Sequence, residues 1–307
     1  MNGRYPLNLV VDTDCGVDDA GALMMILAAQ DIRLRAITTV SGNVALPLVN
    51  NNVLRLLSYF NKKDIPVFPG AFRPLLEPPR DASGVHGSNG LGDIALPESS
   101  LSLEETAAPQ GLYRTVTDHK PCSVLALGPL TNLACAFVLY PRLPEALEHL
   151  YIMGGALDKG NITRYAEFNI AADPEAAEIV FQSGVPITLL PWDVCLANIF
   201  TDRHLKELHL HASRAGDLFL KINQAPLGYF EKIMGSRSLA MADELAAGCC
   251  IDPVMITRSL KTNLHVELAG TLMRGATVTS AGGNITVVTE IDRSRFIDTL
   301  ANINTLP

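Results

Sequence analysis

Charged residues make up only 18% of this 307-residue sequence, against about 25% in an ordinary soluble domain. Positive charge is scarcer than negative. Lys and Arg number 24 against 32 Asp and Glu, a net charge of −8. That balance lacks the basic footprint of a general nucleic-acid binder and the cationic face of a membrane-surface helix. No apolar run approaches the ~18 residues that span a bilayer. Met1–Pro6 holds a single Arg and no apolar region ahead of Leu7–Val11, so it does not read as a secretory signal. The six cysteines form no CxxC and no framework spacing, which points to reduced thiols in a cytoplasmic protein. What the chain has instead is apolar residues, at 48%. It can bury a large core and is not disordered.

Along the chain, strand-like and helix-like segments alternate. Leu9–Val11 is a short apolar strand, Ala20–Ala29 a helix, Leu34–Val40 a β-branched strand and Leu46–Phe60 a periodic helix. From Val67 to about Pro97 the Pro and Gly content predicts a loop. Ser123–Leu127 is a strand, followed by Gly128-Pro129 and a helix over Leu130–Val138. Strands at Leu150–Met153 and Pro186–Leu190 flank a helix at Pro174–Gln182, which starts on its proline. Thr201 to about Leu260 reads as helical, Leu264–Val288 as late strands and Ile291–Ala301 as a terminal helix. This order predicts a single large α/β domain over residues 1–307. Its open, Rossmann-like, mainly parallel central sheet would be flanked by helices, with the active site at the strand C-terminal ends.

The segment Val11–Asp19 carries the most chemistry. Asp12, Asp14, Asp18 and Asp19 crowd into eight residues between an apolar strand and a helix. Carboxylates this close raise one another's pKa. A helix N-terminus relieves part of that repulsion, and a hard divalent cation relieves more. One Asp could serve as a cap; four exceed that need. Asp252, in Cys250-Ile251-Asp252-Pro253, is a second acidic candidate that by itself reads as a helix opener. Gly128-Pro129 turns the chain after Leu127 and leaves carbonyls free of ladder partners, available to a hard metal. Asn43, Asn161, Glu167 and Asn169 stand in apolar surroundings and suit a polyhydroxyl ligand, although each also fits an ordinary turn. His86 lies in the Gly-rich stretch His86–Gly92, which has the character of an active-site flap. That stretch contains no phosphate-binding glycine motif.

Together these segments resemble the nucleoside hydrolase family of the inosine-uridine preferring type, from about Leu7 to Asp252. The opening Asp-x-Asp-x-Gly-x-Asp-Asp-Ala signature matches Asp12–Ala20. Further matches are Thr38–Asn43, Gly70–Leu75, His86–Gly90, Leu127–Asn132, Met153–Gly155, Gly160-Asn161, and Ala166–Asn169 continued by Asp173–Ala177. The resemblance implies hydrolysis of the N-glycosidic bond of a ribonucleoside to ribose and free base. It implies a Ca²⁺ held by Asp14, Asp19, Asp252 and the Leu127 carbonyl, with a water and two ribose hydroxyls completing the shell. Asp14 would be the general base and Asp18 would accept from the 2′-hydroxyl. Asn43 and Asn169 would bind the ring-edge hydroxyls, Asn161 and Glu167 the 5′-hydroxyl, and Met153 would pack beneath the sugar.

One departure bears on the leaving group. Many family members place a proton-donating His just before the last metal-binding Asp; with Asp252 in that role the position is Ile251. His86, Tyr229, Arg237 or solvent would then have to serve. Two other readings stand beside the hydrolase. One is a ribose- or nucleoside-binding protein of the same fold with lost or weak turnover. The other is an aspartyl phosphatase built on Asp12-Thr13-Asp14, although no convincing downstream Lys accompanies that motif. The expected partner is a small ribonucleoside, with no polymeric nucleic acid and no membrane. A homodimer or homotetramer is expected from the resemblance.

Overall fold

The first strand, β1 (Leu7–Thr13), divides its buried side chains between two layers. Leu9 and Val11 enter one hydrophobic core and Val10 the other. A strand covered on both faces requires that period-two division. The remaining strands are β2 (Ile32–Thr39), β3 (Val67–Pro69), β4 (Cys122–Ala126), β5 (Leu150–Met153), β6 (Ile187–Leu190), β7 (Phe200–Thr201), β8 (Ser238–Leu239), β9 (Ile256–Val266) and β10 (Thr277–Ile291). The coordinates are a computed structural model describing residues 6–208, 210 and 213–307. Met1–Tyr5, the start of the segment read above as unlike a secretory signal, lies outside the described residues, as do residues 209, 211 and 212 of the helical stretch.

Eight strands form one sheet in the order β3-β2-β1-β4-β5-β6-β10-β9, parallel except for the β9–β10 pair. β7 and β8 make a separate antiparallel pair. Helices Val17–Ala28, Leu46–Tyr59 and Ala242–Ile251 bury their apolar sides in the core that holds Leu9 and Val11. Helices Ala108–Asp118, Thr131–Leu139 and Pro174–Phe181 cover the core that holds Val10 and Val124. The fold is therefore a single α/β domain with a largely parallel sheet between two helical layers, as expected.

This order places the site. The chain winds from β1 outward through β2 and β3, then returns to lay β4 on the other side of β1. The gap between the C-terminal ends of β1 and β4 is thus a topological switch point, where open α/β sheets bind ligands. Thr13 ends β1 and Ala126 ends β4, so Asp14 and Leu127 are the next residues out of the sheet.

Three expectations need adjustment. The Pro- and Gly-rich stretch after Val67 contains β3, which pairs with β2, and a short helix at Ser83–His86. The helical stretch ends before Leu260. Asp252 caps the helix Ala242–Ile251, Pro253 follows it, and the β-branched Ile256-Thr257 opens β9. Helix Arg293–Ala301 begins two residues later than predicted, because Asp292 is its cap and accepts from Ser294 N–H at 2.9 Å. Among the described residues, no helix is long and apolar enough to cross a membrane.

Candidate active site

The site is assembled around β1. Asp12 is fully buried, and its Oδ1 accepts from Thr38 Oγ1 at 2.5 Å and Asn132 Nδ2 at 2.7 Å. It faces inward as a brace between β1, β2 and the start of the helix Thr131–Leu139. Burial pushes its carboxyl up to about 6. Thr13 points the other way and donates to Asp19 Oδ1 at 2.5 Å. Asp19, one turn into the helix Val17–Ala28, also accepts from Gly16 N–H and Asn43 Nδ2, both at 2.9 Å. A carboxylate at the third helical position reaching back to the cap N–H is half of a capping box. Its other bonds tie the helix to the loop after β2.

Asp14 sits at the mouth of the switch point. Its Oδ2 accepts from Asn43 N–H at 2.7 Å, whereas its buried Oδ1 has no hydrogen-bond partner among the described residues. Burial raises its pKa well above the ordinary carboxylate range, and the charges of Asp19 and Asp18 raise it further. Two glycines leave room for it. A Cβ on Gly42 would stand 2.0 Å from Asp14 Oδ2, and one on Gly128 would stand 2.8 Å from Oδ1. Gly42→Ala should therefore displace the carboxylate. With Asp14 as the general base that the resemblance implies, a displacement of about 1 Å costs on the order of 100-fold in rate, so turnover should fall by about that much while the circular-dichroism spectrum stays native.

Oxygens of Asp18, Asp19 and Asp243 lie within 4.8 Å of one another. Asp243 is the second residue of the helix Ala242–Ile251, which packs along the helix Val17–Ala28. Burial raises the pKa of both Asp243 and Asp19, and the neighbouring carboxylates raise them further. Burial also lifts Asp18 to about 6. A set of carboxylates that disfavour one another's charge, beside an unpartnered Asp14 oxygen, fits a hard cation with all-oxygen ligation.

A cavity of about 470 Å³ opens over this cluster. Asp18, Asp243, Asn43, Leu127, Met153 and Asn169 line one part of it. Asn169 Nδ2 donates to the Leu127 carbonyl at 2.7 Å and to the Met153 carbonyl at 3.2 Å. Glu167 caps the helix Phe168–Ala172; its Oε2 accepts from Gly155 N–H at 2.9 Å, and burial pushes it up to about 7. Asn161 Oδ1 accepts from Phe168 N–H at 2.8 Å. Trp192, Tyr229, Phe230 and Ile233 supply an apolar, aromatic lining. His86, on the short helix Ser83–His86, reaches the same cavity. Its Nδ1 accepts from Val17 N–H at 3.1 Å and lies 3.6 Å from Asp18 Oδ1. Burial lowers its pKa to about 4.

Residues 9–298 match the family described as inosine-uridine preferring nucleoside hydrolase. The chain belongs to that family. A pyrimidine-specific ribonucleoside hydrolase of Escherichia coli is 33% identical over 312 aligned positions, covering 96% of this chain and 97% of that protein. A solved plant nucleoside hydrolase superposes with a TM-score of 0.92 at 30% identity, covering 98% of this chain and all of the other. A purine-preferring ribonucleoside hydrolase from Gardnerella vaginalis gives 0.91 at 27% identity, covering 97% and 98%. This nucleoside hydrolase is accordingly a hydrolase of N-glycosyl compounds, with an acidic cluster at its centre.

Most of the residues singled out in the sequence meet in this cavity or in the carboxylate cluster beneath it: Asp18, Asp19, Asn43, His86, Leu127, Met153, Asn161, Glu167 and Asn169; Asp14 stands behind Asn43, whose N–H it holds. Asp252 does not. It lies at the far end of the helix Ala242–Ile251, where its Oδ2 is paired with Arg295 at 2.5 Å. Asp243 converges on the cluster instead. The residue before the converging carboxylate is therefore Ala242 rather than Ile251, and alanine cannot donate a proton either. Of the three side chains considered as donors, His86 and Tyr229 line the cavity. Arg237 is engaged by Asp202 at 2.9 Å and Glu231 at 3.2 Å. Sequence reasoning also missed Glu244. It is fully buried, lines the cavity, and neither of its carboxyl oxygens has a hydrogen-bond partner among the described residues.

Proposed function

We propose that this nucleoside hydrolase cleaves neutral ribonucleosides to ribose and free base with Ca²⁺ as its cofactor, and that Asp14 is the general base. The observation that carries this reading is one cavity in which a buried carboxylate cluster adjoins an amide-lined end and an aromatic end. Asp14, Asp19, Asp243 and the Leu127 carbonyl are the groups that would hold the cation. When bound, it would polarise a water molecule and lower its pKa.

The chain's own groups do the rest. Asp14, with one oxygen anchored by Asn43 N–H and the other without a partner among the described residues, would accept the proton. Asn43 spends its Nδ2 on Asp19 and Asn169 spends its Nδ2 on the Leu127 carbonyl, so each offers Oδ1 to a ring hydroxyl. Asn161 has the opposite arrangement. Its Oδ1 is used by Phe168 N–H, and its Nδ2 can meet a 5′-hydroxyl beside Glu167. Asp18 accepts from the 2′-hydroxyl and Met153 packs beneath the sugar. Positive charge developing on the ribose is stabilised by the surrounding carboxylates and acceptors. Because His86 Nδ1 accepts from Val17 N–H, the neutral ring carries its proton on Nε2. His86 is thereby a hydrogen-bond donor toward the departing base, with the Tyr229 phenol as a second donor. Asp18, Asp81, Glu167, Asp243 and Glu244 share the lining with a single Lys159, which disfavours a phosphorylated nucleoside.

Two properties of the whole molecule go with this proposal. Six free cysteines suit a cytoplasmic setting. Exposed Phe72, Leu76 and Leu272 suit a homodimer or homotetramer.

The test is a panel of inosine, uridine, adenosine and cytidine, incubated with purified protein with and without chelator. Base and ribose should be released from at least one nucleoside, and chelator should suppress release by about 100-fold or more. Failure to release ribose from any of the four at high enzyme concentration rejects the proposal. The alternative, a nucleoside-binding protein with weak turnover, draws on Ala242 standing beside Asp243. Calorimetric binding without product would favour it.

A further inference from the structure

The geometry points to Arg274 as a positioning residue that fixes the base of the flap over the cavity. Arg274 lies in the turn between β9 and β10 and touches neither the carboxylate cluster nor the cavity. Its guanidinium joins three segments that are far apart in sequence. Nε donates to Glu77 Oε1 at 2.8 Å, Nη2 to Glu175 Oε1 at 2.5 Å, and Nη1 to the Leu268 carbonyl. All three ionic side chains are about three-quarters or more buried, with 26% exposure for Arg274 and Glu77 and 18% for Glu175. An ion pair screened from water in this way holds geometry better than a surface pair does, and the planar fork fixes direction as well as distance.

What the fork holds is the start of the flap. Glu77 belongs to the connection from β3 to the helix Ser83–His86. Two residues earlier, Leu75 N–H donates to Asp173 Oδ2 at 2.9 Å, a second anchor onto the same helix start that carries Glu175. Immediately after Glu77 come Pro78 and Pro79, whose rings lock φ and make the next step a stiff extended strut. The strut delivers Asp81, Ala82, Gly84, Val85 and His86 to the cavity wall. On the other side of Arg274 the hairpin is tied to the sugar-side loop. Ala276 bridges to Ala166, next to Glu167, and Thr277 Oγ1 accepts from Ala156 N–H at 3.0 Å. Arg274 thus sets the flap base against the loop that carries Asn161 and Glu167 and leads into the helix holding Asn169. His86 has separate anchors in Val17 N–H, which donates to its ring, and in its own carbonyl, which accepts from Gly92 N–H at 2.7 Å.

Arg274→Met keeps the apolar stem and removes the fork. In the full-length variant, amide hydrogen exchange over residues 80–86 should accelerate about tenfold or more, while β1 and β4 keep their protection. Arg274→Lys, a point charge that can satisfy one carboxylate at a time, should fall between Met and wild type. With the best nucleoside of the panel, KM should rise about tenfold and kcat stay within about threefold, because the wall loosens while the reacting groups keep their own anchors. Unchanged exchange over 80–86 overturns the inference. So does equal acceleration in β1 and β4, or a loss of kcat as large as the rise in KM. The kinetic arm rests on the hydrolase reading. The exchange arm needs no turnover, so a failure of that reading and a failure of this one are told apart.

Discussion

Asp14→Asn should lower turnover by about 1,000-fold or more, since loss of a general base alone costs about 10²–10⁴ and this residue would also contact the cation. The substitution is nearly isosteric. It keeps an oxygen for Asn43 N–H, which sits 2.7 Å from Oδ2, so the loop after β2 should stay in place. What disappears is an oxygen that can take a proton, along with the charge on the buried carboxylate atom of this residue that has no partner among the described residues. A second readout moves in the opposite direction. Burial first, and then Asp19 and Asp18, hold the Asp14 pKa well above its ordinary value. The folded chain therefore binds that proton more tightly than the unfolded chain does. Its contribution to stability is fully present below the ordinary carboxylate pKa and is lost as pH rises toward the raised folded one. At neutral pH and with chelator present, the Asn variant should melt at a higher temperature than the parent. A variant that keeps turnover within tenfold of the parent would remove Asp14 from the role of base.

That opposition between stability and function explains why the sequence is most legible at its first motif. Four carboxylates in eight residues exceed what helix capping uses: Asp19 does reach the cap N–H and Asp12 braces the sheet, but the repulsion among Asp14, Asp18 and Asp19 still favours an external partner. The strand order β3-β2-β1-β4 then delivers Asp14 and Leu127 to a single gap, and alternating strands and helices already imply such a sheet. Asn43, Glu167 and Asn169 are legible for a related reason, as polar side chains embedded in apolar runs. Asp243 carries no such signal. In Met241-Ala242-Asp243-Glu244 an acidic pair occupies the first turn of a helix, where negative charge is commonplace. Only the packing of that helix along Val17–Ala28 turns the pair into a site. Arg274 and Glu77 are likewise invisible to local reasoning, being 197 residues apart. The start of β9 is obscured because Ile256–Leu260 follows directly on a long helical stretch. The break is made by Asp252-Pro253, the same pair that draws attention as a metal ligand.

The exchange of Asp252 for Asp243 has a measurable consequence. The two residues sit at opposite ends of the helix Ala242–Ile251. At about 1.5 Å rise per residue they are separated by about 13 Å, so both cannot reach one cation. Asp243→Asn should weaken Ca²⁺ binding in calorimetry by more than about 100-fold, because even outer partners of metal ligands are worth about 10–100-fold. Turnover at fixed Ca²⁺ should fall with it. Asp252→Asn should leave Ca²⁺ affinity and turnover unchanged. It removes one carboxylate from a pair with Arg295, whose side chain is 47% exposed. Such a pair is worth less than about 1 kcal/mol. In a chain of this size that is a change of at most a few degrees in Tm, on the order of 2 °C. Should Asp252→Asn abolish binding while Asp243→Asn leaves it intact, the helix would have to enter the site from its other end. The carboxylate cluster of Asp18, Asp19 and Asp243 would then be the wrong one. Equal loss in both variants would mean that the cation depends on the placement of the whole helix, through Arg295, rather than on one carboxylate at its start.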